Sequence, residues 1–113
     1  MIEAVLISYL QGKTTAGSNV YTEIPKNPPS SYIVIEKTGS STENRITTAT
    51  VAVKSYAGSL LAAASLNEEV KSAMDESPVE NDIASCKLNS DYNFTDPTSK
   101  QYRYQAVFQI THY

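Results

Sequence analysis

Residues 32–56 read YIVIEKTGSSTENRITTATVAVKSY, and this stretch decides the fold of the chain. Tyr32–Ile35 is a short apolar run rich in β-branched residues, which predicts a strand covered on both faces at its centre. Thr38–Asn44 is rich in Gly, Ser, Thr and Asn and predicts a hairpin loop. Ile46–Tyr56 alternates through Thr, Val and Ala and predicts a long strand. Together these segments predict an antiparallel hairpin with a mobile tip.

Upstream of the hairpin, the sequence predicts a short helix and a strand. Ile2–Gln11 carries apolar residues at helical spacing. Gly12 suits the C-terminal cap of this helix, and Lys13 suits the negative end of its dipole. Asn19–Ile24 contains good strand formers. Proline lacks a backbone donor, so the proline-rich segment that follows cannot lie in a central strand. Its prolines are Pro25, Pro28 and Pro29.

Downstream of the hairpin, Leu60–Met74 is the strongest helix prediction in the chain, with Ser59 as its N-cap. Pro78 is expected to stop it. One stripe of the helix is apolar and should face the core: Leu66, Val70, Ala73 and Met74. Another stripe should face water: Asn67, Glu68, Lys71 and Asp75.

The last part of the chain predicts two more strands. Ile83–Tyr92 should place Ala84, Cys86 and Leu88 on one face, and residues 96–99 should form a turn. Gln101–His112 alternates and should direct five residues to one side: Tyr102, Tyr104, Ala106, Phe108 and Ile110. The order α-β-β-β-α-β-β predicts one α+β domain over residues 1–113. It has a mostly antiparallel sheet of four to five strands and two helices on one face.

Composition narrows the class of function. The chain has 113 residues, a formal net charge of −3 and nine scattered Lys and Arg residues, which argues against tight or sequence-specific DNA binding. The single cysteine, Cys86, excludes an intrachain disulfide and fits a reducing cytoplasm. Met1-Ile2-Glu3 lacks the basic start of a signal peptide, and no apolar run approaches the length of a membrane span.

The residue types that carry chemistry do not converge on a site. Gly12-Lys13-Thr14-Thr15 resembles the end of a phosphate-binding loop. However, Ile7 stands where the earlier glycine belongs, and the segment closes a helix rather than opening one. The favoured interpretation is a helix cap.

Cys86 would need a base to act as a nucleophile, and the sole histidine, His112, could approach it only if their strands pair. A buried thiol and a strand-end histidine are the favoured interpretations. One Cys and one His do not make a zinc site. The carboxylates near the second helix are expected to be solvated: Glu68, Glu69, Asp75, Glu76, Glu80 and Asp82. We therefore expect no catalytic residues, no metal and no cofactor.

Tyrosine is the one unusual residue type, with eight copies and no tryptophan. Tyrosine has an apolar body and a polar tip, which suits surfaces that become half-buried at protein interfaces. The alternative is that the tyrosines flank the core of a β-rich protein, and the sequence does not choose between the two. Long strands also present edges that a closed ring of subunits would cover.

The order of elements and residue types resembles the tail-terminator, or tail-completion, family of long-tailed bacteriophages and prophages. The resemblance runs from the helix Ile2–Leu10 through Val20-Tyr21-Thr22-Glu23-Ile24-Pro25 to the strand Tyr32–Ile35. It continues through the Ser/Thr-rich hairpin into Val51-Ala52-Val53. It ends with the helix Leu60–Met74 and the closing strand Tyr104–Ile110. Related neck and connector proteins share much of this plan.

The resemblance implies a structural protein that forms a ring, expected to be hexameric, and caps the tail tube. Its implied partners are the tube protein and a head–tail connector, with DNA passing through the lumen and no membrane involved. The implied locations are the virion tail and, during assembly, the host cytoplasm. We expect an interface with the tube or a neighbouring subunit at Thr38, Ser40, Ser41, Thr42, Glu43, Arg45, Tyr102 and Tyr104.

Three other functions stay open at this point. One is a monomeric or dimeric α+β module that binds proteins or has a regulatory role. The second is an adjacent head–tail connector protein. The third, a small enzyme, is disfavoured because no acid, base, nucleophile or metal set converges.

Overall fold

In a computed structural model of the chain, residues 2–77, 83–96, 98 and 101–112 are described. These residues form seven elements, in order along the sequence: α1 (Ile2–Leu10), β1 (Val20–Tyr21), β2 (Tyr32–Glu43), β3 (Ile46–Ala57), α2 (Leu60–Asp75), β4 (Ile83–Asn93) and β5 (Tyr102–His112). The predicted order α-β-β-β-α-β-β is confirmed, with β1 reduced to two residues.

The strands form one five-stranded sheet in the order β1-β2-β3-β5-β4. Only β1 runs parallel to its neighbour, and every other pair is antiparallel. Helix α1 packs on β1 and β2, while α2 packs on β3, β5 and β4. The α+β class, with both helices on one face of the sheet, is therefore confirmed.

The main core lies between the helices and this face of the sheet, which we call the helix face. Alternation in the strands places one set of apolar side chains there. From the helices, α1 contributes Leu6 and Leu10 and α2 contributes Leu66 and Val70, all of them buried. The strand residues of this core include Ile33, Ile35, Val51, Val53, Ala106, Phe108 and Ile110.

The start of α2 and the end of α1 agree with their predicted caps. Ser59 has extended backbone angles, and its Oγ accepts a 3.1 Å hydrogen bond from the amide of Ala62. Gly12, just after α1, has φ +80°, the left-handed conformation that favours glycine after a helix. The Tyr9 hydroxyl donates a 2.6 Å hydrogen bond to the carbonyl of Ala73 and so ties α1 to the end of α2.

The predicted hairpin loop at Thr38–Asn44 is wrong. Strand β2 continues to Glu43, which pairs with Ile46, so only Asn44 and Arg45 form the turn. Both have positive φ, 52° and 66°, as two-residue hairpin turns of the type I′ class require. The tip is therefore a paired ribbon, and a bulge between Lys37 and Gly39 absorbs one residue.

Three smaller predictions are also corrected. The first strand covers only Val20–Tyr21 of the predicted segment 19–24. In β4 a register shift makes Ala84 an exposed extra residue, so Ile83 takes the core position instead. Asn67, expected to face water, is 1% exposed, because its side-chain amide donates to Asp91 on β4 at 3.1 Å.

Some predictions lie outside the described residues. These are the stop at Pro78, the carboxylates Glu80 and Asp82, and the positions Pro97 and Ser99 of the predicted turn. Within that turn, the amide of Thr98 donates a 2.9 Å hydrogen bond to the Asp96 side chain, as an Asx turn does.

Candidate functional site

The hairpin tip is the most exposed part of the sheet. Every residue from Glu36 to Ile46 is exposed, and this range contains six of the eight predicted interface residues. Cross-strand bonds hold the tip: the hydroxyls of Thr42 and Thr47 lie 3.1 Å apart, and Thr38 donates to the carbonyl of Thr50 at 3.3 Å. Its polar side chains are therefore presented on a paired backbone.

Tyr102 and Tyr104, the other two predicted interface residues, lie elsewhere. They occupy the start of β5, where Tyr104 pairs with Ser55, whereas the end of β5 at His112 pairs with Thr47 beside the tip. Strands rise by about 3.3 Å per residue, so roughly 30 Å separates the two tyrosines from the hairpin turn. Both are half-buried. The structure therefore divides the predicted interface between two ends of the sheet.

The second face of the sheet, which we call the open face, carries a row of five aromatic residues and one arginine that runs from β1 to β4. The Tyr21 ring meets Tyr32 edge-on at 6.4 Å, and Tyr32 stacks on Tyr56 at 4.5 Å. Arg103 lies 5.8 Å from the Tyr56 ring centre and 4.4 Å from that of Phe94. Tyr92 continues the row, edge-on to Phe94 at 5.7 Å.

Polar tips in this row are bonded to neighbours. Arg103 donates through Nε to the carbonyl of Phe94 at 2.6 Å and through a terminal nitrogen to the Tyr56 hydroxyl at 3.3 Å. Gln101 donates to the Tyr32 hydroxyl at 3.3 Å. Burial, and secondarily the nearby Tyr56, raises the pKa of Tyr32. The Tyr32 phenol therefore stays neutral and acts as a packing group.

Burial separates the tyrosines into two groups. Tyr9, Tyr32 and Tyr56 are buried, whereas Tyr92 is 42% exposed and Phe94 is 41% exposed. The core interpretation thus holds for the buried tyrosines, and an interface role for the exposed ones stays a prediction. Spacing in the sequence could have revealed the stack. Tyr32 lies twelve residues before Asn44, and Tyr56 lies eleven residues after Arg45, so the two are nearly equidistant from the turn. The bulge in β2 accommodates the one extra residue and leaves the two tyrosines paired.

Cys86 and His112 do lie on paired strands, but they do not face each other. Cys86 is opposite Ile110, and His112 is opposite Ile83. Burial raises the pKa of the Cys86 thiol, and the charge of Asp75 adds to this, while a hydrogen bond with Ser77 opposes it. A raised pKa reduces the thiolate fraction, the opposite of what an activated nucleophile needs.

The carboxylates around α2 make structural contacts. Glu69 accepts hydrogen bonds from the amide and the hydroxyl of Thr15, at 3.1 and 2.8 Å. Lys71 bridges Glu68 and Asp91, each at 2.9 Å. Among the described residues, no group of three or more His, Cys, Asp and Glu side chains is placed to hold a metal ion. Within the same part of the chain, no helix has the length and apolar character that crossing a bilayer requires.

Comparison with known proteins identifies the family of the chain. A family model described as tail completion protein gp17 matches residues 2–113. The chain belongs to the tail completion protein gp17 family. No match is found among curated proteins. The match spans all the helices and strands of the described residues, including the exposed hairpin.

Membership places the chain among phage tail proteins with a structural role in tail assembly. The resemblance inferred from the order of elements is thereby confirmed.

Proposed function

We propose that this tail completion protein forms a hexameric ring that caps the finished tail tube and provides the tail side of the head–tail junction. One side of the ring contacts the tube protein, and the other contacts the head–tail connector. DNA passes through the lumen without sequence-specific contacts. The protein acts in the virion tail after it is made and assembled in the host cytoplasm.

The family match over residues 2–113 carries this proposal. The exposed hairpin supports the proposal. Its two strands are already paired, so it can contact a neighbouring subunit or the tube without a further ordering step, which lowers the entropic cost of binding. The net charge of −3 fits a lumen through which DNA slides, since a negative surface does not hold phosphates. The interface is assigned to Thr38, Ser40, Ser41, Thr42, Glu43 and Arg45, with Tyr102 and Tyr104 as a second contact region.

The test is complementation of a phage or prophage that lacks this gene. Electron microscopy of the particles should show tails of uniform length joined to heads with the wild-type protein. Without it, tails should remain unjoined or vary in length. Tails that are uniform and joined in the absence of the protein would refute the proposal. Density for the protein on the head side only would identify it as a connector instead.

The interface is tested by deleting Ser40–Thr42, with the loop variant Lys26→Glu as a control at an exposed site away from the hairpin. The deletion should abolish joining while the Lys26 variant joins heads normally. Because the deleted residues pair with β3, circular dichroism and urea unfolding should establish that the shortened protein folds. A folded deletion variant that assembles normal tails would remove the hairpin from the interface.

A further inference from the structure

Within the described part of the chain, the sheet has two edges along which no further strand pairs. On one side, β1 pairs only with Ile33 and Val34, so no described strand covers β2 from Ile35 to Glu43. On the other side, β4 is the edge strand along its whole length. Such edges are templates for strand addition unless they are blocked.

The two edges are at the same level of the sheet. Ser40 pairs with Ala49, Ala49 with Ile110, and Ile110 with Cys86, so these four residues form one row. By the same chain of pairs, Lys37 is level with Leu88, and Thr42 is level with Ile83. The uncovered half of β2 therefore matches the first half of β4 in height.

Strand directions make the edges compatible between copies. Antiparallel pairing alternates from β2 through β3 and β5 to β4, so β2 and β4 run in opposite directions. Two copies placed side by side in the same orientation would thus bring β4 of one copy antiparallel to β2 of the next. The same contact can repeat from copy to copy, as a head-to-tail interface in a ring does.

The helix face adds a complementary shape to this pairing. Leu88 on β4 is 47% exposed although it points to the helix face. Level with it on the other edge, a groove of about 360 Å³ opens between α1 and β2 and is lined by Ile7 and Ile35 together with the charged residues Glu3, Glu36 and Lys37. An exposed leucine gains by burial when it meets the apolar part of this groove in a second copy.

Charge is also complementary across the two edges. On the open face, β2 carries Glu36 and β4 carries Lys87, and on the helix face β2 carries Lys37 and β4 carries Asp91. When β2 and β4 of two copies are aligned with Ser40 opposite Cys86, the two members of each charge pair are not directly opposite. They are displaced by two paired positions along the strand, which is the next position on the same face. Long side chains bridge such diagonal positions, which are about 7–8 Å apart.

The geometry points to a specific contact between copies: the outer edge of β2 in one copy pairs antiparallel with β4 of the next, with Ser40 opposite Cys86 and Leu88 seated in the groove beside Ile7. This inference rests on the proposed ring, because it names the surface through which neighbouring subunits join. Polar residues on an edge strand can instead protect a monomer against pairing with other chains. Cross-linking between copies separates these two roles of the edge.

The native Cys86 makes the register testable. Ser40→Cys should form an intermolecular disulfide with Cys86 on mild oxidation, because cross-strand neighbours in a pair meet the distance that a disulfide needs. Cross-linking is carried out on assembled tails and on concentrated purified protein. Non-reducing gels should show a ladder of covalent oligomers that collapses on reduction.

Matched variants control the assignment. Ser41→Cys, on the opposite face, should give about tenfold less product, because its Cβ points away from Cys86. Ser40→Cys in a Cys86→Ser background should give none of the ladder. Leu88→Arg should prevent assembly on tails, whereas Leu61→Arg, at a 79% exposed position on α2, should assemble.

The outcomes distinguish this inference from the proposed function. A ring seen on tails, with no cross-link at position 40 and normal assembly of Leu88→Arg, would overturn the edge pairing and leave the ring intact. A ladder from purified protein, with no copy on the tail end, would support the pairing and refute the proposed role. Absence of the ladder from both samples overturns the pairing.

Discussion

The rings of Tyr32 and Tyr56 stack with their centres 4.5 Å apart and their planes 4° apart. The two residues are paired across β2 and β3 at the base of the hairpin, and they are 4% and 2% exposed. They form a small second core with Val34 on the open face, separate from the core under the helices. This stack fixes the base from which the exposed tip extends.

Removing one ring of the stack should destabilise the protein strongly. Tyr56→Ala deletes a buried aromatic side chain and leaves a cavity beside Tyr32, so the free energy of unfolding should fall by about 3 kcal/mol. Urea unfolding measures this. Tyr92→Ala is the control, because that ring is 42% exposed, and it should cost under about 1 kcal/mol. Equal losses from the two variants would contradict a second core at this position.

A substitution in the hairpin turn should instead stabilise the protein. Arg45 has φ 66°, which a residue with a side chain adopts at a cost of about 1 kcal/mol. Arg45→Gly should therefore raise the free energy of unfolding by up to about that amount, and its Asn-Gly turn is the one that type I′ hairpins favour. Ser41→Gly, within β2, should instead lower it. If Arg45→Gly destabilised the protein, the assignment of a two-residue turn with positive φ at Arg45 would be contradicted.

The helices and the order of strands could be predicted because local signals agree with the fold. Ser59 caps α2 as its residue type indicates, and the buried run at Tyr32–Ile35 has the expected pattern. The hairpin tip was missed because Gly, Ser and Thr favour loops locally, whereas pairing with β3 extends the strand to Glu43. Cross-strand pairing is a tertiary effect that composition does not report.

The surroundings of individual side chains on the sheet were predicted only in part for the same reason. Arg103 follows from its alternation as a residue on the second face, but nothing local indicates that it lies between Tyr56 and Phe94. Similarly, Asn67 looks like a solvent-facing helix residue until β4 brings Asp91 to it. Residues from strands distant in sequence create these environments, and two bulges in β4 shift their register.

Acid should remove the contribution of Asp91. The hydrogen bond from Lys71 is the main reason that the pKa of Asp91 lies below its usual 3.8. A carboxylate with a lowered folded-state pKa stabilises the protein above the unfolded pKa, and this contribution is lost as pH falls through the folded value. Asp91→Asn should therefore cost about 0.5 kcal/mol at neutral pH, a magnitude typical of a partly exposed ion pair.

The cost of Asp91→Asn should shrink towards zero as the pH is lowered past the folded-state pKa of Asp91. Urea unfolding of wild type and variant across the acidic range measures it. The exposed loop variant Glu23→Gln should show little difference at any pH. The pKa of the partner Lys71 is raised, first by its hydrogen bond with Glu68, so Lys71 stays protonated throughout this range and the loss follows protonation of the carboxylate. If the difference in free energy of unfolding between wild type and Asp91→Asn grew on acidification, Asp91 could not have a lowered pKa in the folded state.

Cys86 should react slowly with thiol reagents in dilute protein. Its side chain lines a groove between α2 and β4 together with Phe108, and burial raises its pKa above 9.0, which leaves little thiolate near neutral pH. Alkylation by iodoacetamide should be several-fold slower than for the exposed thiol of Ser40→Cys in a Cys86→Ser background, and it should accelerate as pH rises. Mass spectrometry over time gives both rates. Fast alkylation of Cys86 at neutral pH would mean that a neighbouring group activates the thiol, and it would reopen a chemical role for this edge of the sheet.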